Sequence, residues 1–270
     1  MSYNNDNTVI LSICFRKILA PCENCCYHKD MTDTLFEYDH ILMRSKYRTP
    51  DIHAHLALHL IVGHDTRLHC KVDGESFDAD AVFIASDVPH TVYSYSGEML
   101  VFLFDLASRY ADEIDRLFLQ GKNYFCLIGE QVEVLRNLWK ENQGSLANAD
   151  RAILEKLGLL KNDGRKLDDR VTQALAVLKN EEEVPEDAVD FLCQKVFLSK
   201  SRLSHLFKEN LGISLSSYLA WEKMRKGYIH FQKYGNITEA AIRAGFDSPS
   251  HFAATCRRMF GLSFSDYTKS

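Results

Sequence analysis

The sequence predicts an α+β protein of several domains: an N-terminal antiparallel β-barrel, helices that follow it, and an all-helical C-terminal domain of two helix-turn-helix units. Residues 34–106 alternate between apolar and polar side chains and are rich in β-branched and aromatic residues, which is typical of short strands. Beyond Leu106, apolar residues recur at spacings of three and four, which favours helices. The C-terminal part contains one unit written twice, because Leu211–Tyr218 recurs as Phe260–Tyr267 at an offset of 49 residues.

Length and composition are those of a soluble globular protein with about two domains. The chain has 270 residues, of which 46% are hydrophobic and 26% are charged. No apolar run is long enough to cross a bilayer and no secretory signal is visible, so we expect a cytoplasmic protein with reduced cysteines and no membrane partner. The changes of pattern predict four regions. They are an N-terminal extension (1–33), a barrel (34–106), a helical dimerisation or linker region (107–165) and a double helix-turn-helix domain (166–270).

The strand pattern is read in six segments, with one clear hairpin. The predicted strands are 35–44, 56–62, 67–72, 81–85, 90–95 and 99–104. Asp73 and Gly74 separate two apolar segments, and Asp-Gly is a strong signal for a tight hairpin turn. Short strands joined by turns favour a small antiparallel barrel or sandwich.

The region after the strands has helical periodicity. Predicted helices cover 112–119, 130–141 and 149–159. Within the second of them one apolar stripe is formed by Val132, Leu135, Leu138 and Trp139. Such a stripe either docks a second subunit, giving a homodimer, or packs on the barrel. The polar, glycine-containing stretch 161–165 is the candidate linker.

The repeated unit has the layout of a helix-turn-helix. Ser199, Ser214 and Ser248 are placed to cap helices, and Gly212 follows the first of these. The predicted helices are 171–178, 186–196, 200–210, 214–234, 238–244 and 248–259. The long helix spans roughly 30 Å at 1.5 Å per residue, which is close to the ~34 Å of one DNA turn. Two recognition helices at its ends would therefore enter successive major grooves.

The charge distribution agrees with binding to double-stranded DNA. The net charge is −5, but residues 199–270 contain 11 Lys/Arg and 5 Asp/Glu, a balance of +6 that leaves −11 for residues 1–198. Positive charge is therefore concentrated on the repeat, where phosphates need it.

Residues 168–270 resemble the DNA-binding domain of the AraC/XylS family of bacterial transcription regulators. The resemblance is carried by the stretches 198–208, 211–214, 218–219, 240–246 and 260–267. It implies a fold of seven helices with two helix-turn-helix units. It also implies promoter DNA and RNA polymerase as partners and, as in most members, activation of transcription.

On this resemblance, the base-reading positions carry mostly short side chains. The candidates are Ser201, Ser204, His205, Ser250 and His251, with Pro249 and Ala254 at neighbouring positions. Because no arginine is placed for a bidentate guanine contact in the second unit, we expect that unit to hold phosphate and read DNA shape. The phosphate candidates are Lys200, Arg202, Lys208, Arg257 and Arg258. Gly227 stands in the long helix where the family commonly has alanine. Glycine in a helix interior lowers stability by about 1 kcal/mol relative to alanine, and we expect it to make this helix bendable.

The N-terminal strands resemble the cupin-like barrel that often precedes this DNA-binding domain. The resemblance is carried by His53, His55, His59 and His90, with His59 where metal-binding cupins have Glu. Four imidazoles are suited to Zn, Fe, Ni or Cu. Regulators of this family usually bind a small-molecule effector instead, so these histidines either line an effector pocket or hold a metal. We expect no obligatory cofactor.

A second cluster consists of Cys22, Cys25, Cys26 and His28. The Cys-x-x-Cys spacing is that of a metal site, but one such pair is a weak signal. Metal binding, oxidation sensing and no function at all remain open for this cluster.

The sequence therefore predicts a one-component transcription regulator controlled through its barrel. Two alternatives remain open. One is a metal-dependent cupin enzyme with a DNA-binding tail, although no carboxylate completes the histidine set. The other is an effector-free DNA binder with a filled barrel.

Overall fold

The computed structural model describes residues 34–45, 50–160 and 166–260, with side chains up to Arg258. Nine strands lie at β1 (Thr34–Phe36), β2 (His40–Ser45), β3 (Leu58–Gly63), β4 (Leu68–Val72), β5 (Glu75–Ala79), β6 (Ala81–Ile84), β7 (His90–Tyr93), β8 (Met99–Phe104) and β9 (Tyr124–Leu127) within these ranges. The helices described are α1 (Arg109–Ile114), which continues as a π-helical turn (Asp115–Leu119), α2 (Glu130–Glu141), α3 (Leu146–Lys156), α4 (Asp169–Asn180), α5 (Ala188–Val196), α6 (Lys200–Leu211), α7 (Leu215–Tyr234), α8 (Ile237–Arg243) and α9 (Pro249–Phe260).

The strands form two antiparallel sheets, which confirms the predicted fold class. One sheet has the order β1-β2-β8-β3-β6-β9 and the other the order β5-β4-β7. The predicted hairpin turn is present, with positive φ at Asp73 (50°) and Gly74 (84°), as a two-residue turn of this kind requires.

Three details of the strand prediction are wrong. The segment 35–44 is not one strand but two, β1 and β2, which pair with each other. β5 was not predicted, because its outward residues are polar and exposed. β9 lies inside the region predicted to be helical and extends the larger sheet beside β6. Four residues are too few for a periodicity signal.

Alternation along the larger sheet separates two apolar cores. Ile41, Ile61 and Val101 point toward the smaller sheet and join a core that continues into the C-terminal helices. Their neighbours Leu42 and Leu60 point to the opposite face and pack with α1 to α3. Because side chains alternate across a strand, each strand of this sheet contributes to both cores.

The apolar stripe on α2 packs on the β-sheet of its own chain. Val132, Leu135 and Trp139 are 1–2% exposed and belong to the core on the outer face of the larger sheet, while Leu138 is partly buried there. The stripe is therefore not an open docking face. Dimerisation through another surface stays a prediction.

The C-terminal helices begin and end within two residues of their predicted bounds. Ser199 and Ser214 cap α6 and α7, accepting the amides of Arg202 and Ser217, and Ser248 accepts the amide of His251. Gly212 ends α6 in the left-handed conformation, with φ of 74°. These local signals suffice because each depends on neighbours in sequence. No helix in the described ranges is long and apolar enough to span a bilayer.

Gly227 is not a flexible point of α7 but a point of close approach. A Cβ atom at this position would lie 2.5 Å from Cε2 of Phe252 and 2.9 Å from Cβ of Ala244. Phe252 is fully buried, so its ring has no room to withdraw. The expected flexibility is therefore wrong, and glycine is needed because α7 crosses α8 and α9 closely.

A buried polar cluster joins the β-sheets to the C-terminal helices. The Lys179 ammonium on α4 donates to a carboxylate oxygen of Asp105, just after β8, and to the carbonyl oxygen of Tyr38 at 2.6 Å. The Tyr218 hydroxyl on α7 donates to the same Asp105 oxygen at 2.9 Å. Lys179 and Asp105 are both nearly inaccessible to solvent, so removing either partner leaves a buried, uncompensated charge.

Candidate DNA-binding surface and histidine cluster

The first helix-turn-helix consists of α5, a short turn and α6. Leu203, Leu206 and Phe207 form the apolar inner face of α6 and are buried. The base-reading candidates Ser201, Ser204 and His205 are exposed on the opposite face, as are the phosphate candidates Lys200, Arg202 and Lys208.

Two predicted contact residues of this unit have acidic partners in the protein. The Lys200 ammonium lies 2.8 Å from a carboxylate oxygen of Asp190, and Nδ1 of His205 lies 3.2 Å from Glu209. Both pairs are solvent-exposed, and exposed pairs are weak and screened by salt. A DNA phosphate can therefore compete for either side chain at small cost.

The turn of this unit contains a residue that the sequence did not single out. Phe197 adopts the left-handed conformation (φ 54°) at the end of α5, and its side chain is 90% exposed. Left-handed conformations cost a non-glycine residue roughly 1–2 kcal/mol. An exposed aromatic ring in this conformation has no local signal that sequence reasoning could use.

The second helix-turn-helix consists of α8, a turn at Gly245 and α9. Phe252 and Cys256 form its buried face, whereas Ser250, His251, Ala254, Arg257 and Arg258 are exposed. The base-reading and phosphate candidates of this unit are therefore accessible from solvent, and their roles stay predictions.

Arg257 contacts the β-sheet region rather than solvent alone. Its guanidinium donates through two nitrogens to one carboxylate oxygen of Asp51, at 2.9 and 3.0 Å. Both side chains remain more than half exposed. One predicted phosphate contact is therefore occupied by an acidic group of the same chain in this arrangement.

Some of the basic residues that make the C-terminal repeat positively charged are buried inside the domain. Arg225 on α7 forms two hydrogen bonds to Glu222, which is fully buried, and Lys226 donates to the carbonyl oxygen of Glu181. Burial alone would raise the pKa of Glu222, but Arg225 outweighs it and lowers that pKa. Burial lowers the pKa of Lys226 to about 8. These two basic residues stabilise the long helix and are not available to DNA.

Three of the four predicted barrel histidines converge. The ligand nitrogens of His53, His55 and His90 lie within 4.8 Å of one another. The chain brings them together because residues 53 and 90 form an isolated antiparallel bridge, with His55 two residues further on. The ring of His59 on β3 lies 4.5 Å from those of His55 and His90, but His59 does not belong to the converging set.

Hydrogen bonds fix two of these rings. Nδ1 of His53 donates to the carbonyl of Asp51 at 2.9 Å, and Nδ1 of His90 donates to the carbonyl of Val88 at 2.8 Å. Each Nε2 therefore presents a lone pair, as in histidine metal ligands held by backbone carbonyls. Nδ1 of His55 instead accepts the amide of Ala57 at 3.2 Å, so coordination through its Nε2 requires a proton shift and loss of this bond.

The imidazoles are neutral at pH 7. Burial, aided by the neighbouring histidines, lowers the pKa of His90 to about 4 and holds those of His55 and His59 well below 6.5. Burial also lowers the pKa of His53. Nδ1 of His59 is buried and has no hydrogen-bond partner among the residues that the structure describes. A compact set of neutral nitrogen donors fits a transition metal better than it fits an anion.

The histidine cluster contacts the long helix α7 and borders α9 of the second helix-turn-helix unit. The ring of His55 stacks on Trp221 of α7, with centroids 5.6 Å apart and an angle of 23°. His53 lines an open cleft of about 590 Å³ together with Asp51 and three residues of α9: Ala254, Arg257 and Arg258. Trp221 and Asp51 were missed by sequence reasoning, since no local spacing connects them to the histidines.

Buried side chains of the two sheets pack together in one core. Ile61 and Val101 of the larger sheet join Leu68, Cys70 and Val92 of the smaller one, all at most 5% exposed. The effector-free alternative stays a prediction. The predicted effector-pocket histidines lie where the sheets meet the C-terminal helices.

The cysteines fall into two groups. Cys70, Cys193 and Cys256 are buried and form no disulfide within the described part of the chain, and burial raises the pKa of each thiol, to about 12 for Cys70. Cys22, Cys25, Cys26 and His28 lie outside the described residues, as do the linker 161–165 and the end of the repeat, 261–270.

Residues 192–270 match the protein family described as "Helix-turn-helix domain". The Uncharacterized HTH-type transcriptional regulator YpdC of Escherichia coli (strain K12) is 33% identical over 72 residues, or 26% of this chain and 25% of the relative. The HTH-type transcriptional regulator MtrA of Neisseria gonorrhoeae is 27% identical over 88 residues, which are 32% of this chain and 29% of that relative. The matches thus span between a quarter and a third of these relatives' length.

Solved structures match over most of the chain. ToxT from Vibrio cholerae aligns with a TM-score of 0.55 over 89% of this chain and 98% of its own, at 12% identity. The structure of unsaturated fatty acid-bound wild-type ToxT aligns with a TM-score of 0.55 over 85% of this chain and 95% of its own, also at 12% identity. At such identities the likeness shows a shared fold.

The capped helices, the exposed recognition faces and the family match define a tandem helix-turn-helix DNA-binding domain at the C-terminus. This domain belongs to the AraC type, as the resemblance predicted.

Proposed function

We propose that the chain is a sequence-specific transcription regulator that binds promoter DNA through both helix-turn-helix units and responds to an effector at its N-terminal region. The observation that carries this proposal is the placement of α6 and α9 around α7. Each presents an exposed polar face, and α7 has 20 residues, roughly 30 Å. That length suits two adjacent major grooves on one side of a duplex.

The contacts divide between base reading and positioning. Ser201, Ser204 and His205 are the candidates for direct readout by the first unit, with Ser250 and His251 in the second. Short hydroxyl side chains accept or donate single hydrogen bonds and discriminate less than a bidentate arginine. We therefore assign most of the second unit's contribution to phosphate contacts and DNA shape.

The effector acts at the boundary between the sheets and the C-terminal helices. The two sheets pack through a buried apolar core, and the histidine cluster and its cleft border α7 and α9. An effector bound there shifts the population between arrangements of the two parts because it contacts both. This placement favours a binding role for the histidines over catalysis by a cupin enzyme.

Activation through RNA polymerase, a homodimeric state and a cytoplasmic location complete the proposal. They come from the family resemblance and from the sequence composition.

A salt titration of DNA binding tests the phosphate assignment. Replacing Arg257→Ala together with Arg258→Ala should weaken binding for all sequences and reduce the salt slope by about 2, since each lost phosphate contact removes roughly 0.9. Fluorescence anisotropy on selected promoter DNA at several salt concentrations measures both quantities.

The matched control removes the same charge elsewhere. Arg151→Ala with Lys156→Ala changes two exposed residues of α3, away from both recognition helices, and should leave the slope unchanged. Equal slopes for the α9 variant and the wild type would refute the assignment.

A further inference from the structure

We propose that His53, His55 and His90 bind one divalent transition metal ion, and that Trp221 and Asp51 transmit its presence to the long helix α7 and to α9 of the second helix-turn-helix unit. The metal site stands on the geometry alone. Its effect on DNA rests on the proposed function.

The donor set is compact enough for a single ion. Metal–nitrogen bonds of about 2.0 Å place two tetrahedral ligands about 3.3 Å apart, while these nitrogens lie within 4.8 Å. Closing the site therefore needs ring movements of at most about 1.5 Å. Two of the three rings already have their Nδ1 hydrogen bonds to backbone carbonyls in place.

The chemistry of the donors selects the class of ion. Three imidazoles without a carboxylate suit zinc, nickel, copper or iron and do not suit magnesium or calcium, which require oxygen ligands. Three protein ligands also leave a coordination position open. His53 is only partly buried and lines the cleft, which gives an ion a route to the site.

Closing the site changes contacts with the long helix α7 and with α9. His55 stacks on Trp221, so rotation of its ring alters a contact with α7. Asp51 accepts a hydrogen bond from His53 through its carbonyl and two from Arg257 through its carboxylate. Movement of His53 therefore moves Asp51, whose carboxylate accepts the hydrogen bonds of Arg257, a phosphate candidate on α9.

Metal titration of the full chain tests the site without using DNA. The background carries Cys22→Ser, Cys25→Ser and Cys26→Ser, which removes the other candidate ligands. We expect one Zn²⁺ or Ni²⁺ per chain in competition with a chromophoric chelator, and an affinity at least roughly tenfold lower for His53→Ala. His90→Gln serves as the second variant if His53→Ala does not fold.

The control is His69→Ala, which removes a histidine that pairs with Asp78 on the smaller sheet, outside the cluster. Its affinity should equal that of the background protein. Absence of stoichiometric metal, or equal affinity in the His53, His90 and His69 variants, would overturn the site.

Tryptophan fluorescence tests the transmission. The chain has two tryptophans, and Trp139→Phe leaves Trp221 as the reporter. Saturating Ni²⁺ should quench Trp221 in the background protein but not in the His53→Ala variant. If Trp139→Phe destabilises the core, the fluorescence of Trp221 is obtained instead as the difference between the background protein and its Trp221→Phe variant. Stoichiometric metal without a change at Trp221 would overturn the transmission.

Anisotropy with and without Zn²⁺ separates this inference from the proposed function. A protein that binds metal but no DNA contradicts the proposed function and leaves the site standing. A protein that binds DNA but no metal contradicts the site alone.

Discussion

At the scale of single residues, His40 shows how one buried side chain joins a strand to a helix. Its Nε2 lies 2.7 Å from Asp150 on α3, and its Nδ1 lies 2.9 Å from Asp39. Burial alone would lower the pKa of His40, but the two carboxylates outweigh it and raise the pKa to about 9. The charged imidazolium is therefore the stabilising form.

This gives a pH dependence with a defined sign. His40 contributes its full stability below its unfolded pKa near 6.5, and this contribution is lost as pH rises to about 9. Urea unfolding from pH 6 to 9 should lose on the order of 2–3 kcal/mol from this residue. Asp150→Asn removes the stronger partner and should flatten the curve. Parallel curves for the two proteins would contradict the assignment.

The sequence predicted residues well where the signal is local. The serine caps of α6 and α7 follow from spacings within one helix. The contacts of His40, Trp221 and Asp51 join positions more than 100 residues apart, and no periodicity encodes such pairs.

At the scale of elements, the crossing of α7 over α8 and α9 depends on Gly227. Helix propensity alone favours alanine there by about 1 kcal/mol. The missing Cβ would meet the buried ring of Phe252 at 2.5 Å, however, and overpacking costs typically about 1–3 kcal/mol. The sequence prediction failed because propensity describes one helix and not the element packed against it.

Gly227→Ala should therefore lower the free energy of unfolding by about 1–2 kcal/mol and weaken DNA binding, because it displaces α9. Chemical denaturation measures the first effect. Adding Phe252→Leu makes room for the methyl group, so the double variant should be more stable than the sum of the single effects predicts. A stabilising Gly227→Ala would restore the flexible-helix interpretation.

At the scale of the whole molecule, the sheets and the DNA-binding helices share one compact unit. The buried Asp105–Lys179 pair fixes the inner side of the boundary, and the exposed Asp51–Arg257 pair closes its edge. The sequence predicted the β-sheets and the C-terminal helices but not the contact between them. A change of pattern along the chain marks where one region ends, and it carries no information about which regions pack together. The predicted boundaries themselves stay predictions.

Asp51→Asn should free Arg257 and raise DNA affinity by at most about fivefold, because an exposed ion pair contributes up to about 1 kcal/mol. Anisotropy at low salt measures the change. Glu155→Gln on α3 removes one negative charge elsewhere and should have no effect. An equal gain in both variants would show a general charge effect instead of release of Arg257.

The most direct test is a hydroxyl-radical footprint on DNA selected from a random pool by the full chain. Recognition helices at the two ends of α7 should protect two windows about 10 base pairs apart on one face of the duplex. His205→Ala should alter the preferred sequence in one window only. A single protected window, or none with folded protein, would contradict the account.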